Sequence, residues 1–412
     1  MKKAKMMKKY ADLISRVGVD ANRKQDVVVR APVEAYEFIR YLTMSLYNAK
    51  CRHVYIDWYD GGINKISLMH SSISKLEEIP SFVTEKEKFF GENSVASIYI
   101  IGEDPSLLKS VDKDRLKRYN KARVSALEPL KKPYHTNEVA WCIAAVPTKS
   151  WATKVFPDLS PTQAMNKMWE MIYEACYVKE DNDPVQVWKE HIELLEARAK
   201  KLNEYQFKTL VYKNSLGTDL SIDLVKNHVW VAARSVQSRN GLYFVPNIPT
   251  QEIFTMPSKD GVNGVVFSSK PLSHNGIIIN NFYLRFENGK VVEYHAEEGE
   301  EVLKQVIEFD EGASHLGEVA LIPYDSPISN QGIVYQETLF DENASCHLAL
   351  GQSFLENIVD GEKLGEDEVF NLGGNKSFMH VDFMIGTEDL EIDGIKEDGE
   401  VVKVFSKGNF AI

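Results

Sequence analysis

Residues 26–48 read DVVVRAPVEAYEFIRYLTMSLYN, and this stretch decides the class of fold. The segment from Asp26 to Arg30 encloses an unbroken apolar run, which is typical of a strand buried on both faces of a parallel sheet. From Val33 to Asn48 the apolar residues recur at helical spacing instead. These residues are Ala35, Phe38, Ile39, Leu42 and Leu46. A strand followed at once by an amphipathic helix predicts the α/β class.

The same alternation continues through the first half of the chain. Further apolar runs predict strands at His53–Trp58, Ala96–Ile101 and Val139–Val146. Helical segments between the strands imply right-handed crossovers, so we expect a Rossmann-like layered domain with a parallel sheet. The closely spaced glycines of a dinucleotide site are missing from the first strand-to-helix turns, so we infer no nucleotide.

The pattern changes after Phe207. Before it, helical periodicity returns at Thr162–Val178 and at Pro184–Leu202. Beyond it, LVYKNSLGTDLSIDL and NFYLRFENGKVVEYH each place asparagine and glycine between two alternating runs, which predicts hairpins. One helix, Glu298–Phe309, interrupts these strands.

These patterns predict two domains, with a boundary near residue 205. Residues 1–205 would form an N-terminal α/β domain with a Rossmann-like parallel sheet. Residues 206–412 would form a mixed, mainly antiparallel α+β domain.

Composition restricts the class of protein. The 412 residues carry a formal net charge of -12, which argues against a general nucleic-acid binder because phosphate recognition needs a basic face. The basic start MKKAKMMKK leads into an amphipathic segment rather than an apolar signal region, and nothing in the composition requires a membrane. The 4 cysteines are scattered without a CxxC pair, which fits reduced thiols in the cytoplasm.

Several segments of the second half carry acids or histidines in apolar surroundings. NIPTQEIFTMP contains Glu252, and HLGEVALIP contains Glu318. YQETLFDENASCHLALG, residues 335–351, contains Asp341, Glu342 and His347, and SFMHVDFMIG contains His380 and Asp382. Because side chains alternate along a strand, His380 and Asp382 are expected on one face.

Each of these residues could be an ordinary buried ion pair or a hydrogen-bonded core residue. Taken together they are harder to explain in that way, because so many acids would repel one another if they met without a cation. One ion seldom takes six protein ligands and keeps an open catalytic position, so the count suggests two metals bridged by a shared carboxylate.

The ordered motifs NIPTQEIFT, SSKPL, LGEVAL, TLFDENASCHLALG and HVDFMIG resemble the aminopeptidase T and aminopeptidase S family of thermophile-type metallopeptidases. In the first half YADLISRVGV and AVPTKSWATKVFPD are similar to the same family, so the resemblance covers nearly the full length. It implies an N-terminal α/β domain, a C-terminal domain that holds two divalent metals, and a homodimer. It also implies peptide substrates with a free N-terminus.

By motif, the resemblance assigns a set of metal ligands, with Glu318 as the bridge between two ions. The set is Glu252, Glu318, His347, His380 and Asp382. Glu342 matches an acid of the DEN motif and is expected to be a sixth ligand or a proton-handling neighbour. One position departs from the family: Phe354 stands where a tyrosine near the metals is usual, which puts activity or metal affinity in question.

The expected activity is that of a metal-dependent exo-aminopeptidase. Two cations would turn a shared water into a bridging hydroxide that attacks the first peptide carbonyl, with Glu318 or Glu342 handling the proton. Zinc, cobalt, manganese and magnesium all remain possible, since oxygen and imidazole ligands suit each of them.

A rival interpretation keeps the fold and the metals but not the chemistry. It is a metal-stabilised dimeric peptide-binding or scaffold protein with weak or no peptidase activity, and Phe354 motivates it. A serine hydrolase is disfavoured because the sequence has no GxSxG nucleophile motif.

Overall fold

The computed structural model describes residues 2–274 and 276–412, and contacts divide the chain into two compact units. The first unit comprises the chain up to Glu190 together with Arg234–Pro249. The second unit comprises His191–Ala233 and Thr250–Ile412. The predicted boundary near residue 205 would place residues 191–205 in the first unit and residues 234–249 in the second, the reverse of this division. A domain boundary near residue 205 stays a prediction.

The helices lie mostly in the first unit. They are α1 (Lys2–Leu13), α2 (Tyr36–Asn48), α3 (Gly61–His70), α4 (Ile73–Leu76), α5 (Ser81–Glu92), α6 (Lys113–Leu127), α7 (Lys132–His135), α8 (Lys149–Val155), α9 (Pro161–Ala175), α10 (Pro184–Tyr205), α11 (Glu300–Ile307), α12 (Thr338–Asp341) and α13 (Glu366–Asn371). Within residues 2–274 and 276–412, no helix combines the length and hydrophobicity that a membrane crossing needs.

The strands are most frequent in the second unit. They are β1 (Asp26–Pro32), β2 (His53–Tyr59), β3 (Ala96–Ile101), β4 (Trp141–Ala145), β5 (Thr209–Lys213), β6 (Asp219–Leu224), β7 (Val231–Ala232), β8 (Ser235–Val236), β9 (Tyr243–Phe244), β10 (Asn247–Ile248), β11 (Ile253–Thr255), β12 (Pro257–Phe267), β13 (Leu272–His274), β14 (Ile277–Glu287), β15 (Lys290–Glu298), β16 (Leu316–Leu321), β17 (His347–Gly351), β18 (His380–Met384), β19 (Glu391–Ile395), β20 (Val401–Ser406) and β21 (Asn409–Phe410).

The sheet of the first unit is parallel, with the strand order β10-β4-β3-β1-β2. Strand β1 lies inside this sheet, and its residues Val27, Val28 and Val29 are buried completely, which explains the unbroken apolar run. Helix α2 buries the predicted apolar side of its surface, including Phe38 and Leu42. The predicted α/β class of this half is confirmed.

One strand of that sheet has no counterpart in the sequence prediction. Strand β10 is only two residues long, Asn247–Ile248. It pairs with β4, although the two strands are far apart in the sequence. Two residues are too few to show periodicity, so the alternation of apolar and polar residues cannot reveal such a strand.

The second unit contains two antiparallel sheets. One has the order β18-β17-β16-β11-β7, and the larger one follows the path β13-β14-β12-β6-β5-β19-β20-β21, with β15 paired to β14. Both predicted hairpins are present, as β5 with β6 and as β14 with β15. The turn of the second hairpin uses Asn288 and Gly289 at φ values of 49° and 81°, the left-handed region that such residues tolerate. The predicted, mainly antiparallel α+β class is confirmed.

The predicted helix Glu298–Phe309 is shorter at both ends in the structure. It begins at Glu300 because Gly299 adopts a φ of 79°, a left-handed conformation that stops the helix from extending backwards. It ends at Ile307, and Leu303, Val306 and Ile307 are its buried residues.

Candidate metal centre

The candidate site lies on one face of the sheet β18-β17-β16-β11-β7. In the antiparallel register Ala349 pairs with Glu318 on one side and with Asp382 on the other, and His347 pairs with Ala320. Residues paired in this way present their side chains on the same face. The register therefore places the acids and histidines of β16, β17 and β18 together.

Small residues leave room for the polar groups on this face. Ala320 and Ala349 occupy the positions between the polar side chains of β16 and β17, and both are buried. A larger side chain at either position would fill the space in which the carboxylates and imidazoles meet. Glu252 directly precedes β11 and reaches the same cluster, within 3.6 Å of His347.

Glu318 is the centre of the cluster. Its Oε1 lies 3.3 Å from Nε2 of His347, and its Oε2 lies 3.5 Å from Nε2 of His380. Asp382 Oδ1 lies 3.2 Å from Nε2 of His380 and 3.9 Å from Nε2 of His347. The two oxygens of one carboxylate therefore face two different imidazoles.

Two groups of side chains in the described residues could each hold a cation. The first consists of Glu252, Glu318 and His347, and the second of Glu318, His380 and Asp382; the ligand atoms of each group lie within 4.8 Å of one another. Glu318 belongs to both groups. The five residues that the sequence singled out as ligands are thus brought together.

Backbone carbonyls orient both histidines. Nδ1 of His347 donates to the carbonyl oxygen of Glu342 at 2.9 Å, and Nδ1 of His380 donates to that of Gln352 at 2.8 Å. Because Nδ1 of each ring is engaged by a carbonyl, Nε2 is the nitrogen that faces the acids. Ligating histidines in metalloproteins are commonly held by such a second hydrogen bond.

Burial and like charge shift the proton affinities of the cluster. Burial, followed by the charge of Glu318, raises the pKa of Glu252 to about 8. Burial lowers the pKa of His347, but the hydrogen bond with Glu318 and the nearby carboxylates outweigh it and raise that pKa to about 9. Burial also lowers the pKa of His380, but the charge of Asp382 and the hydrogen bond with it outweigh burial and raise that pKa to about 10. The anions of this centre therefore favour positive charge beside them.

Glu342 stands apart from the two groups. It borders a cavity of about 10 Å³ together with Asp382 and Met384, which is close to the smallest space that admits one water molecule. Burial, followed by the charges of Asp382, Glu252 and Glu318, raises its pKa well above the usual range. Its neighbour Asp341 has a structural contact, because it accepts the backbone N–H groups of Tyr335 and Glu337 at 2.7 and 3.0 Å.

Sequence reasoning missed the residue that holds the Glu252 loop. The side-chain oxygen of Asn343 accepts the backbone N–H of Gln251 at 2.7 Å, and its amide nitrogen donates to the carbonyl of Leu339 at 3.0 Å. Asn343 is completely buried. The sequence did contain a signal for this role, because Asn343 is the asparagine of the DEN motif. A buried asparagine beside candidate ligands needs hydrogen-bond partners for both the oxygen and the nitrogen of its amide.

Phe354 packs against the candidate centre. Its ring centroid lies 4.7 Å from that of His380 and 6.0 Å from that of Phe254. The position that departs from the family pattern is thus in direct contact with a candidate ligand.

Known proteins are similar to this chain in sequence, and a solved structure is similar to it in fold. The model of the thermophilic metalloprotease family M29 matches residues 3–410. Aminopeptidase AmpS of Bacillus subtilis (strain 168) is 42% identical over 98% of this chain and 97% of its own length. Aminopeptidase 2 of Geobacillus stearothermophilus is 40% identical over 99% and 98%, respectively.

A solved structure agrees with these sequence matches. The structure of wild-type AmpT from Thermus thermophilus superposes with a TM-score of 0.93 at 33% identity, and it covers 100% of both chains. The family model, the sequence relatives and the solved structure each match nearly the full length of the chain, and all three indicate the same family. The resemblance inferred from the motifs is confirmed, and the chain belongs to the M29 family of thermophilic metalloproteases.

Proposed function

We propose that this chain is a metal-dependent aminopeptidase that removes N-terminal residues from peptides with two divalent cations bound at the centre around Glu318. Membership of a metalloprotease family and relatives named aminopeptidases support the reaction class. The observation that carries the two-ion arrangement is the position of Glu318, whose oxygens each face a different histidine.

The donor atoms fit divalent cations. Carboxylate oxygens and imidazole nitrogens suit zinc, cobalt, manganese and magnesium. One cation would be held by Glu252, Glu318 and His347, and the other by Glu318, His380 and Asp382. The raised pKa values of Glu252 and of both histidines mean that cations would displace protons as they bind.

Bound cations supply a water of lowered pKa and polarise the peptide carbonyl. The protein contributes the orientation of its ligands and a carrier for the proton. We assign the carrier role to Glu342, because it borders the cavity beside Asp382 and lies outside both ligand groups. Glu318 is the alternative carrier, but both of its oxygens already face histidines.

Glu342 suits proton transfer for an electrostatic reason. Its burial and the surrounding carboxylates raise its pKa well above the usual range, and a carboxyl group with a raised pKa can accept a proton from water and return it to the leaving amine. The free amino group of the substrate would meet the acids of this site, which restricts cleavage to the chain end.

Three further features belong to the same proposal. The family resemblance supports a homodimer, and the unpaired cysteines support a location in the cytoplasm. The net charge of -12 supports peptides rather than nucleic acids as partners.

The second candidate is a metal-stabilised peptide-binding or scaffold protein. Phe354 favours it, because a phenyl ring in contact with His380 cannot donate a hydrogen bond to a tetrahedral intermediate. It predicts metal uptake and a higher Tm with metal, without peptide hydrolysis.

Replacing Glu318 by Gln removes the charge of the proposed bridging carboxylate and keeps its shape. We expect the metal content to fall below two ions per chain and hydrolysis of an aminoacyl reporter to fall by about 100-fold or more, since even residues that support ligands account for 10–100-fold. Elemental analysis and a turnover assay measure both. Glu301→Gln on α11, an exposed position with the same change of charge, is the matched control. Full activity of Glu318→Gln would refute its role.

Glu342→Gln separates a proton carrier from a ligand. As a carrier, Glu342 accounts for about 10²–10⁴-fold in kcat, so the variant should lose that factor and keep its metal content and KM. Steady-state kinetics combined with elemental analysis makes the comparison. Loss of one ion together with activity would instead make Glu342 a sixth ligand.

Metal removal separates the two candidate functions. The chelated protein should not cleave peptides, and one or more of zinc, cobalt, manganese and magnesium should restore cleavage of peptides with a free N-terminus but not of N-acetylated ones. Chromatography of the products gives the measurement. A protein that takes up metal and gains thermal stability without releasing an amino acid would support the scaffold instead.

A further inference from the structure

The parallel sheet of the first unit contains a topological switch point. Strand β1 lies between β2 and β3, and β4 follows on the far side of β3. The chain therefore adds β2 on one side of β1. It then returns past β1 and adds β3 and β4 on the other side. In open α/β sheets ligands bind in the crevice outside the carboxyl ends of the strands at such a point.

A cavity of about 230 Å³ lies at this edge. Residues that follow the carboxyl ends of β1, β2, β3 and β4 border it, and Glu34, Asp60, Glu103 and Thr148 represent one strand each. At about 30 Å³ for a water molecule in the liquid, the volume corresponds to about seven or eight waters. The cavity therefore has room for a small organic molecule.

At this edge, carboxylates of the protein occupy the N-terminus of helix α3, where an anionic ligand would otherwise bind. Asp60 caps helix α3 by accepting the backbone N–H of Ile63 at 2.8 Å. The Glu103 carboxylate lies against the same helix end, since a Cβ atom at Gly61 would lie 2.2 Å from its oxygen. Because carboxylates already occupy the helix N-terminus, a phosphate or carboxylate ligand is excluded.

The charge of the wall selects the opposite kind of ligand. Glu34, Asp60, Glu103 and Asp104 border the cavity, and no lysine, arginine or histidine is among the described residues that do so. Burial, followed by the charge of Asp60, raises the pKa of Glu103. A cation inside the cavity would relieve the repulsion between these acids.

The cation should be larger than a metal ion. In the described part of the chain, the side chains that converge closely enough to hold a metal all belong to the second unit, and none borders this cavity. The wall also includes Tyr59, whose ring is fixed by stacking on Tyr99 at 5.7 Å and by a hydrogen bond from its hydroxyl to the carbonyl of Ile100. Aromatic rings attract organic ammonium groups.

We propose that this cavity binds a small organic cation with primary ammonium groups, of the class of short diamines and free basic amino acids. Its position at the switch point and its volume indicate a ligand site, and its charge and aromatic wall select the ligand class. The residues of this cavity are not those of the metal centre around Glu318, so the proposal does not depend on the proposed peptidase reaction.

Calorimetric titration of the full-length protein with 1,4-diaminobutane tests the proposal, with 1,4-butanediol as the uncharged comparison. We expect saturable binding of the diamine that weakens as sodium chloride is added, and no binding of the diol. The double variant Asp60→Asn, Glu103→Gln keeps an acceptor for the Ile63 N–H group and removes two charges. It should bind the diamine about tenfold more weakly or worse.

Three further variants make the result specific. Glu85→Gln with Glu92→Gln removes two charges from exposed positions on α5 and should leave diamine binding unchanged. Glu34→Gln changes an exposed carboxylate of the wall, so it should weaken binding without any effect on folding. Glu318→Gln should retain binding, because the metal centre is not the site.

Several results would overturn the proposal. They are the absence of saturable diamine binding, equal binding of the diol, and an equal loss in the α5 control variant. Loss of binding in Glu318→Gln with retention in Asp60→Asn, Glu103→Gln would place the diamine at the metal centre instead. None of these results depends on peptide hydrolysis, so failure here and failure of the proposed peptidase function are distinguishable.

Discussion

Glu318 directs its two carboxylate oxygens at two different histidines on a buried sheet face, and the candidate centre is built around this arrangement. His347 lies 3.3 Å from one oxygen and His380 lies 3.5 Å from the other. A buried carboxylate is costly unless charge or hydrogen bonds compensate it. Glu252 and Asp382 lie beside the same histidines, and the proposed function places one cation on each side of Glu318.

The antiparallel register creates the centre, and the residues around it hold its geometry. Three neighbouring strands present polar side chains on one face, with alanines between them that leave space. Each histidine is fixed through Nδ1 by a backbone carbonyl, and Asn343 ties the loop before Glu252 to the DEN motif. The supporting contacts are therefore made largely by backbone groups, which side-chain chemistry alone does not reveal.

The sequence could predict the parts of the fold that have long periodic patterns. Strands β1, β2 and β3 begin where their apolar runs begin, and the same-face placement of His380 and Asp382 follows from strand alternation. Strand β10 could not be predicted, because two residues show no period. The position of Glu342 outside both ligand groups depends on a short 3-10 turn at Glu342–Ala344, which sets a direction that motif order does not encode. The cavity at the switch point could not be predicted either, because its position depends on the order of the strands in the sheet. The apolar pattern of a single strand does not specify that order.

Anomalous X-ray diffraction from crystals of the manganese-loaded or zinc-loaded protein measures the number of bound ions and identifies their ligands. Two anomalous peaks per chain are expected, both coordinated by Glu318, with ligand distances of about 2.0–2.2 Å if the metal is zinc. One peak would lie beside Glu252 and His347, and the other beside His380 and Asp382. A single peak, or peaks that do not share Glu318, would contradict a two-ion centre bridged by this carboxylate.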